Sequence, residues 1–493
     1  MPSLVHALLL LGTLVAMKPI QILPPRSRFL RSSPHQLSIL SWNILLPNSK
    51  DGWWCYKTYS PRHNMDPAST EWPARRSLIR SVIERMDADI VCLQELCGDS
   101  FAEDFAFMGD LGYVSSLYKK GRFRPATFWK PDVVTVVGEP IQKDRSLILQ
   151  LKLTHPLPSL HEDRPFWVAN AHLQSGNQTA RRLRQMNDCV ETIRKEQNKL
   201  MKGSGPASQH NFTIVIAGDM NFDCDADDPG NRTSAVERLL LEGEVPPNFV
   251  EGGELLSKKR KSLGHISPFT DTYAFAWSLQ NERPPPTMVA EELYSLLTVK
   301  APDDDALALT LSETATTLLG QVFESFASGM RPSGERVMVT GDVEQWLLKI
   351  NKKLGRGSEY RAAMKLMTSA STPTPQAFQT EDSDDEGQGD ASDQTPLLPL
   401  DGFLTREMFI SIYHSEMQMG KVWGVAHDLS TCGYPLQLSE RKFQARYDRI
   451  YLQGCARVVA VTDTGGRVVD SLPNSDHPSD HLPLSCLIEL NGA

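Results

Sequence analysis

The stretch Thr213-Ile-Val-Ile-Ala-Gly-Asp-Met-Asn221 decides how this chain is interpreted. A short apolar run rich in β-branched residues and closed by a glycine predicts a buried strand. Asp219 and Asn221 follow at once, so the strand ends in a carboxylate and an amide. A lone strand-end Asp usually caps a turn. The stretch therefore indicates a functional site only if other strands end in the same way.

Several other apolar runs also end in polar side chains of types that can take part in catalysis or metal binding. Each such residue alone has an ordinary structural interpretation, whereas the ordered set of carboxylates, amides and histidines indicates a cleft lined by strand ends. The set consists of Asn43 after Leu37-Ser-Ile-Leu-Ser-Trp42, Glu95 after Asp89-Ile-Val-Cys-Leu-Gln94, Asn170 and His172 in Val168-Ala-Asn-Ala-His-Leu173, Asp448 in Tyr447-Asp-Arg-Ile-Tyr-Leu452, and Asp480 with His481 in Ser479-Asp-His-Leu-Pro-Leu484.

These motifs, in this order, resemble the successive signatures of the endonuclease/exonuclease/phosphatase superfamily. The resemblance covers residues 36–281 and 430–492. It implies an α/β (α+β) fold, namely a four-layer α/β/β/α sandwich of two packed sheets. It also implies a metal-dependent hydrolase acting on phosphate ester bonds.

The resemblance carries roles over to individual positions. Asp219 would align and deprotonate the attacking water, and His481, oriented by Asp448, would contact the scissile phosphate. His172 would stabilise charge on the phosphate in the transition state. Substrate binding falls to Asn170 and Asn221.

The expected cofactor is Mg²⁺, with Mn²⁺ as a substitute. Magnesium prefers carboxylate oxygens and retained waters. Glu95 is therefore the leading metal ligand, with Asn43 beside it. Asp480 has two interpretations, as a ligand of a second metal ion or as a residue that orients His481.

Several local patterns favour the deadenylase/nocturnin-like branch, and hence an RNA 3′-exonuclease. They are Trp72-x-x-Arg75, Leu111-Gly-Tyr113 and Arg181-Arg-Leu-Arg-Gln185. One departure weakens poly(A) specificity, because Tyr118–Trp129 stands where that branch has an acidic stretch and Asp-Gly-Cys-Ala. Its Lys119, Lys120, Arg122 and Arg124, with Phe123, could grip a phosphate backbone and stack on a base, or form a solvated hairpin tip.

Two other functions stay open. One is a phosphatase or phosphodiesterase for a small phosphorylated molecule such as an inositol phosphate, NADPH or a lipid headgroup. The other is a non-catalytic interaction protein that binds a partner protein through its helical part. The complete set of polar strand ends argues against the second.

The strand–helix alternation stops near Arg283-Pro-Pro-Pro286, and amphipathic helices follow. We therefore expect a helical module at 282–428 inserted into one catalytic domain formed by 36–281 and 429–493, with a disordered acidic linker at 368–396. The module resembles an EF-hand pair. If Gly402 is a loop glycine, Leu397, Pro399 and Met408 occupy ligand positions, so we expect no tight calcium binding.

Composition sets loose limits. The chain has 493 residues and a formal net charge of −9, which neither requires nor excludes a polyanionic substrate. Its cysteines are scattered without a CxxC pair, which favours a reducing intracellular compartment over secretion.

Residues 1–35 are expected to lie outside the fold. Leu4–Met17 is apolar but too short to span a bilayer, so it could be a signal, an anchor or a transit segment, and the destination (organelle or cytoplasm) stays open.

Overall fold

The computed structural model describes residues 20–46, 71–121, 123–155, 165–176, 178–201, 212–223, 234–251, 254–256, 266–300, 309–371, 398–418, 421–438 and 440–490. The apolar leader predicted at Leu4–Met17 and most of the predicted acidic linker lie outside these residues.

The first large sheet joins strands from both ends of the sequence. Leu484–Leu490 pairs antiparallel with Gln36–Asn43, which pairs parallel with Ile90–Leu96. Its seven strands, in spatial order, are Gln21–Leu23, Ala456–Thr462, Leu484–Leu490, Gln36–Asn43, Ile90–Leu96, Arg124–Trp129 and Val114–Leu117.

The second large sheet is also seven-stranded and mostly antiparallel. Only Phe166–His172 and Ile214–Asp219 run parallel, and the long helix Thr179–Leu200 lies between them in sequence. The spatial order is Thr270–Asp271, Asp448–Gln453, Ile214–Asp219, Phe166–His172, Ser146–Leu153 and Val134–Val136, with Ile141–Lys143 also paired to Ser146–Leu153.

The two sheets bury one apolar face against each other and cover the other with helices. Ile39 and Cys92 of the first sheet share a core with Val168 and Val215 of the second. The outer face of the first sheet packs against Trp72–Met86, Phe101–Asp104 and Ala106–Asp110, and that of the second against Thr179–Leu200 and Ala235–Glu242; a further helix, Thr272–Ser278, joins the central core. The predicted four-layer α/β/β/α sandwich is therefore confirmed.

The catalytic fold begins earlier than expected. Gln21–Leu23 pairs parallel with Ala460–Thr462 at the edge of the first sheet, and Phe29 is buried against Ala460. The expectation that residues 1–35 lie outside the fold is wrong for this part. The strand is three residues long and lacks an alternating pattern, so the sequence alone gave little reason to predict it.

Residues beyond the proline run form a separate hydrophobic core. It extends from Leu293 to Cys432 and contains Trp346, Phe409 and Leu429. Its helices are Tyr294–Leu297, Glu313–Phe326, Thr340–Asn351, Ser358–Ser371, Arg406–Gln418 and Val422–Cys432, and its short strands are Thr298–Lys300, Leu309–Leu311, Gly329–Met330, Arg336–Val339 and Phe403–Leu404. We propose that this core defines the inserted module.

Two predicted boundaries need adjustment, the start of the module and the start of the linker within it. Met288–Glu291 pairs with Lys442–Ala445 and Val289 packs on Leu472 and Leu482, so residues 286–291 belong with the catalytic domain rather than the module. The helix Ser358–Ser371 also continues past residue 368, where the linker was expected to start.

Two helix–loop–helix units of the module meet through short antiparallel strands, with Met338 opposite Leu404. This arrangement fits the expected EF-hand-like pair, which stays a prediction. In the first loop, Oδ2 of Asp342 accepts hydrogen bonds from the backbone N–H groups of Ser328 (2.9 Å) and Val339 (3.0 Å). The carboxylate at the loop exit is thus already occupied by protein donors.

We predict that the module does not bind calcium tightly. Protein N–H groups hold Asp342, and Pro399 and Met408 offer no side-chain oxygen at the ligand positions of the second loop. Calorimetric titration of calcium into the full-length Glu95→Gln variant, in excess magnesium, should show no site tighter than about 10⁻⁴ M. Micromolar binding that is lost in Asp342→Asn would contradict the prediction.

None of the helices in the described part of the chain combines the length and the apolarity needed to cross a membrane.

Candidate active site

Three polar residues lie side by side on adjacent strands of the second sheet. Asp219 is the register partner of His172 on one side and of Asp448 on the other. Gly218 permits this close strand approach, because a Cβ there would lie 1.8 Å from the carbonyl oxygen of Ala171. The signature Gly-Asp therefore serves both backbone packing and side-chain placement.

Asn43 and Glu95 reach the same cleft from the first sheet. Asn43 ends its strand opposite Gln94, and Glu95 follows. At Glu95 the backbone has φ = +63° and the register against Arg124–Trp129 shifts between Leu93 and Leu96. A bulge with a left-handed residue redirects a side chain out of the regular strand alternation. The carboxylate of Glu95 consequently turns toward the second sheet.

The carboxylates of the two sheets gather around the amide of Asn43. Its Nδ2 donates to Oε1 of Glu95 (3.1 Å) and to Oδ2 of Asp219 (3.0 Å), while its Oδ1 accepts from the N–H of Leu45 (3.1 Å). The Nε2 atom of His172 lies 3.7 Å from each of the same two carboxylate oxygens. Both sheets thus contribute to one compact polar centre.

A carboxylate–histidine pair closes the other side of this centre. Nδ1 of His481 lies 2.7 Å from Oδ2 of Asp448, and its Nε2 lies 3.9 Å from Oδ2 of Asp219. All three residues are buried, and their ligand atoms lie within 4.8 Å of one another. Because Asp448 holds Nδ1, the Nε2 atom of His481 faces Asp219.

The two histidines experience opposite environments. Burial lowers the pKa of His172 to about 4, so its imidazole is neutral at neutral pH. Burial alone would lower the pKa of His481 as well, but Asp448, Asp480 and Asp219 outweigh it and hold the pKa well above its usual range. One neutral and one cationic imidazole therefore flank the same carboxylate.

The centre fits a hard divalent cation. Burial, followed by repulsion from Asp480, raises the pKa of Glu95 to about 7, and a bound cation would favour the charged form of this carboxylate. Carboxylate oxygens are the ligands that magnesium and manganese accept. Glu95 and the half-exposed Asp480 are the carboxylates suited to hold the ion. Asn43 donates its amide nitrogen to two of the carboxylates, and its role as a metal ligand beside Glu95 stays a prediction.

Two predicted substrate-binding residues occupy different positions. Asn221 is partly exposed, and its backbone N–H and side-chain Nδ2 donate to Asp219 at 2.8 and 3.2 Å. Asn170 is fully buried: its Nδ2 donates to the carbonyls of Leu93 and Ala126, and its Oδ1 accepts from Gln94. Asn170 therefore bridges the two sheets and does not face the cleft, contrary to its predicted role in substrate binding.

Arg75 supports the site in a way that the motif comparison did not reveal. Its guanidinium is completely buried and donates to the carbonyls of Ile44 (2.6 Å), Leu45 (2.5 Å) and Pro478 (2.7 Å). It thereby ties the loop after Asn43 to the loop before His481. The signal in the sequence was an arginine four residues before Ile79 on the apolar face of its helix.

Thr287 is a second supporting residue that sequence reasoning missed. Its hydroxyl accepts hydrogen bonds from the N–H groups of Tyr447 (3.1 Å) and Asp448 (3.3 Å). It follows the proline run assigned to the module, and nothing in its sequence context indicated that it would contact the catalytic strand.

We predict that Arg75→Ala lowers the free energy of unfolding by about 3 kcal/mol, because three buried carbonyl groups lose their donor. Urea denaturation measures this loss. Arg75→Lys should recover part of it, and Arg80→Ala, an exposed change on the same helix, should cost less than about 0.5 kcal/mol. Equal stability of Arg75→Ala and the parent would show that these hydrogen bonds contribute nothing.

A family model matches this constellation along almost the whole chain. The match spans residues 40–481 and bears the description Endonuclease/Exonuclease/phosphatase family. The chain belongs to the endonuclease/exonuclease/phosphatase family. Members of this family are phosphoesterases and nucleases, so the protein is a hydrolase of phosphate ester bonds.

No curated protein matches the chain, but solved structures resemble it distantly. ANGEL2, described as a 2′,3′-cyclic phosphatase, is 16% identical with a TM-score of 0.43, covering 92% of this chain and 96% of its own. The human Nocturnin catalytic domain is 14% identical with a TM-score of 0.41, covering 95% and 100%. D. rerio TDP2 with a single-strand DNA product is 12% identical with a TM-score of 0.35, covering 92% and 98%.

Proposed function

We propose that this endonuclease/exonuclease/phosphatase protein is a magnesium-dependent phosphodiesterase that removes nucleotides from the 3′ end of RNA. The observation that carries the proposal is the convergence of Asn43 and Glu95 from one sheet with His172, Asp219, Asp448 and His481 around one buried centre. Each of these side chains has a partner or a near neighbour within the group, as a preorganised site requires.

Asp219 is suited to position and deprotonate a water molecule. The N–H of Asn221 holds its Oδ1, and the amides of Asn43 and Asn221 hold its Oδ2. These contacts fix the orientation of the carboxylate, which a general base needs more than an extreme pKa. The proton of the attacking water passes to this carboxylate, the water oxygen bonds to phosphorus, the P–O3′ bond breaks, and the leaving 3′ oxygen takes up a proton from solvent.

His481 and His172 serve the phosphate. The cationic imidazole of His481 donates from Nε2 to a non-bridging oxygen while Asp448 holds Nδ1. His172 adds a neutral donor from the opposite side of Asp219. A divalent cation held by Glu95 and Asp480 would shield the phosphate charge and acidify the water.

The preference for RNA rests on the basic loop between Val114–Leu117 and Arg124–Trp129. Arg124 pairs with Leu96, one residue beyond Glu95, so the loop ends beside the proposed metal ligand Glu95. Lys119 and Lys120 are exposed there. Cations beside a phosphodiesterase centre attract the backbone of a single strand.

A substrate panel with magnesium tests the proposal. Single-stranded RNA with a free 3′-hydroxyl should be shortened stepwise from that end, RNA with a blocked 3′ end should persist, and Asp219→Asn should not shorten either RNA. Lys119→Ala with Lys120→Ala should raise KM for RNA by about tenfold. Exclusive hydrolysis of NADPH, phosphoinositides or inositol phosphates would replace the RNA assignment, and inactivity on every phosphate ester would remove the proposal.

A further inference from the structure

Four aromatic rings form a continuous path from the catalytic histidine to the inserted module. The ring centroid of Tyr447 lies 6.3 Å from that of His481, and Phe443 lies 6.5 Å from Tyr447. Tyr294 follows at 5.9 Å from Phe443, and Trp423 at 6.5 Å from Tyr294. The path therefore leaves the catalytic centre and ends on the helix Val422–Cys432.

All four rings are only partly buried, although three of them lie in regular elements, Phe443 in a strand and Tyr294 and Trp423 in helices. Tyr294 and Trp423 pack one side against the module core, while their neighbours Leu293 and Val422 are completely buried in it. The module thus holds these two rings rigidly and leaves part of each at the surface.

No two successive rings of the path are stacked in parallel. Successive pairs are inclined by 41°, 39°, 43° and 85°. Parallel stacking would hide each face behind the next ring, whereas a tilted contact covers a face only in part, and each of these rings keeps part of its surface exposed. A row of such faces suits a ligand that carries several flat rings in succession.

We propose that Tyr294 and Trp423 form a base-binding platform on the inserted module, which receives the nucleotides of a single strand beyond the one being cleaved. This rests on the proposed phosphodiesterase function. The row begins beside the catalytic His481, so an occupant of the row is continuous with a phosphate ester in the centre. NADPH carries only two flat ring systems, whereas a polynucleotide repeats phosphates and flat rings along its whole length, and stacking accepts any base because every base has a π-face.

The platform makes binding depend on strand length. Fluorescence anisotropy in the Asp219→Asn background, which prevents cleavage, can compare a labelled dodecanucleotide with a dinucleotide in RNA and DNA forms. Trp423→Ala should weaken dodecanucleotide binding by about five- to tenfold, at the low end of base–aromatic stacking, with a smaller effect on the dinucleotide. Trp423→Phe should restore most of the affinity, and Tyr294→Ala should reproduce the loss.

Phe275→Ala is the matched control, because Phe275 is an exposed aromatic residue (41%) on Thr272–Ser278 and outside the ring path. It should leave dodecanucleotide affinity unchanged. The inference is overturned if Trp423→Ala binds both lengths as the parent does, or if it weakens both equally and lowers the unfolding temperature. It is also overturned if Trp423→Ala binds oligonucleotides normally but loses a protein partner. A parent chain that hydrolyses no phosphate ester would instead refute the proposed function.

Discussion

Replacing Glu95 by glutamine is expected to reduce the hydrolysis rate at limiting magnesium by about 10³-fold while the chain stays folded. The substitution removes one charge from a hard-cation site but keeps the side-chain volume. Metal ions contribute several kcal/mol to such transition states, which corresponds to roughly this factor. Rates measured over a range of magnesium concentrations check it, and excess magnesium should restore part of the activity.

The magnesium requirement of the parent should also depend on pH. The pKa of Glu95 is raised to about 7, so its charged, metal-binding form gains population as pH rises through that value. In the parent, the magnesium concentration that gives half the maximal rate should therefore decrease as the pH rises from about 6 to about 8. This dependence on pH should weaken in Glu95→Gln. Glu103→Gln, an exposed change nearby, is the control. Full activity of Glu95→Gln at limiting magnesium would refute the metal assignment.

Replacing Asp448 by asparagine is expected to cost about 10²–10³ in rate through His481. The carboxylate fixes the imidazole tautomer at a 2.7 Å contact and helps to raise its pKa. In serine proteases the comparable substitution costs about 10⁴. We expect less here because metal activation of the water would persist. Steady-state rates of the purified variant, with Asp110→Asn as control, measure the loss.

The pH dependence distinguishes this explanation from a metal-ligand role for Asp448. Without the carboxylate the pKa of His481 falls, so the cationic imidazole is lost at lower pH, and the basic limb of the pH–rate profile should move to lower pH. The magnesium dependence should not change. Asp448 also lies within 4.8 Å of Asp219 and His481, in a cluster that could itself hold an ion. Rescue of Asp448→Asn by excess magnesium would favour that alternative.

The resemblance to the family implied the sandwich, and the motifs that carry this resemblance could be recognised because each of them is local in sequence. Apolar runs ending in Asp219, Glu95 or His172 indicate strands with polar ends, and an ordered set of them indicates a common cleft. The positions of these side chains depend on features that no local pattern encodes. Glu95 enters the cleft through a bulge, and the alternation that places His172 at the centre places Asn170 two residues deeper, between the sheets.

The supporting residues that sequence analysis missed were missed for the same physical reason. Arg75 and Thr287 act through hydrogen bonds to residues far away in sequence, such as Pro478 and Asp448. Gln21–Leu23 forms a strand only because Ala456–Thr462 offers it an edge. Secondary-structure propensity cannot anticipate partners that are supplied by the tertiary fold.

The strand Leu484–Leu490 lies in the interior of the first sheet, between Ala456–Thr462 and Gln36–Asn43. During synthesis the ribosome therefore completes the whole helical module before it supplies the strand that closes this sheet. The module is built from contacts close in sequence, so it can fold before Leu484–Leu490 is available to pair with the earlier strands. Since His481 lies shortly before that strand, the nascent polypeptide lacks one residue of the candidate active site until this part of the chain has been synthesised.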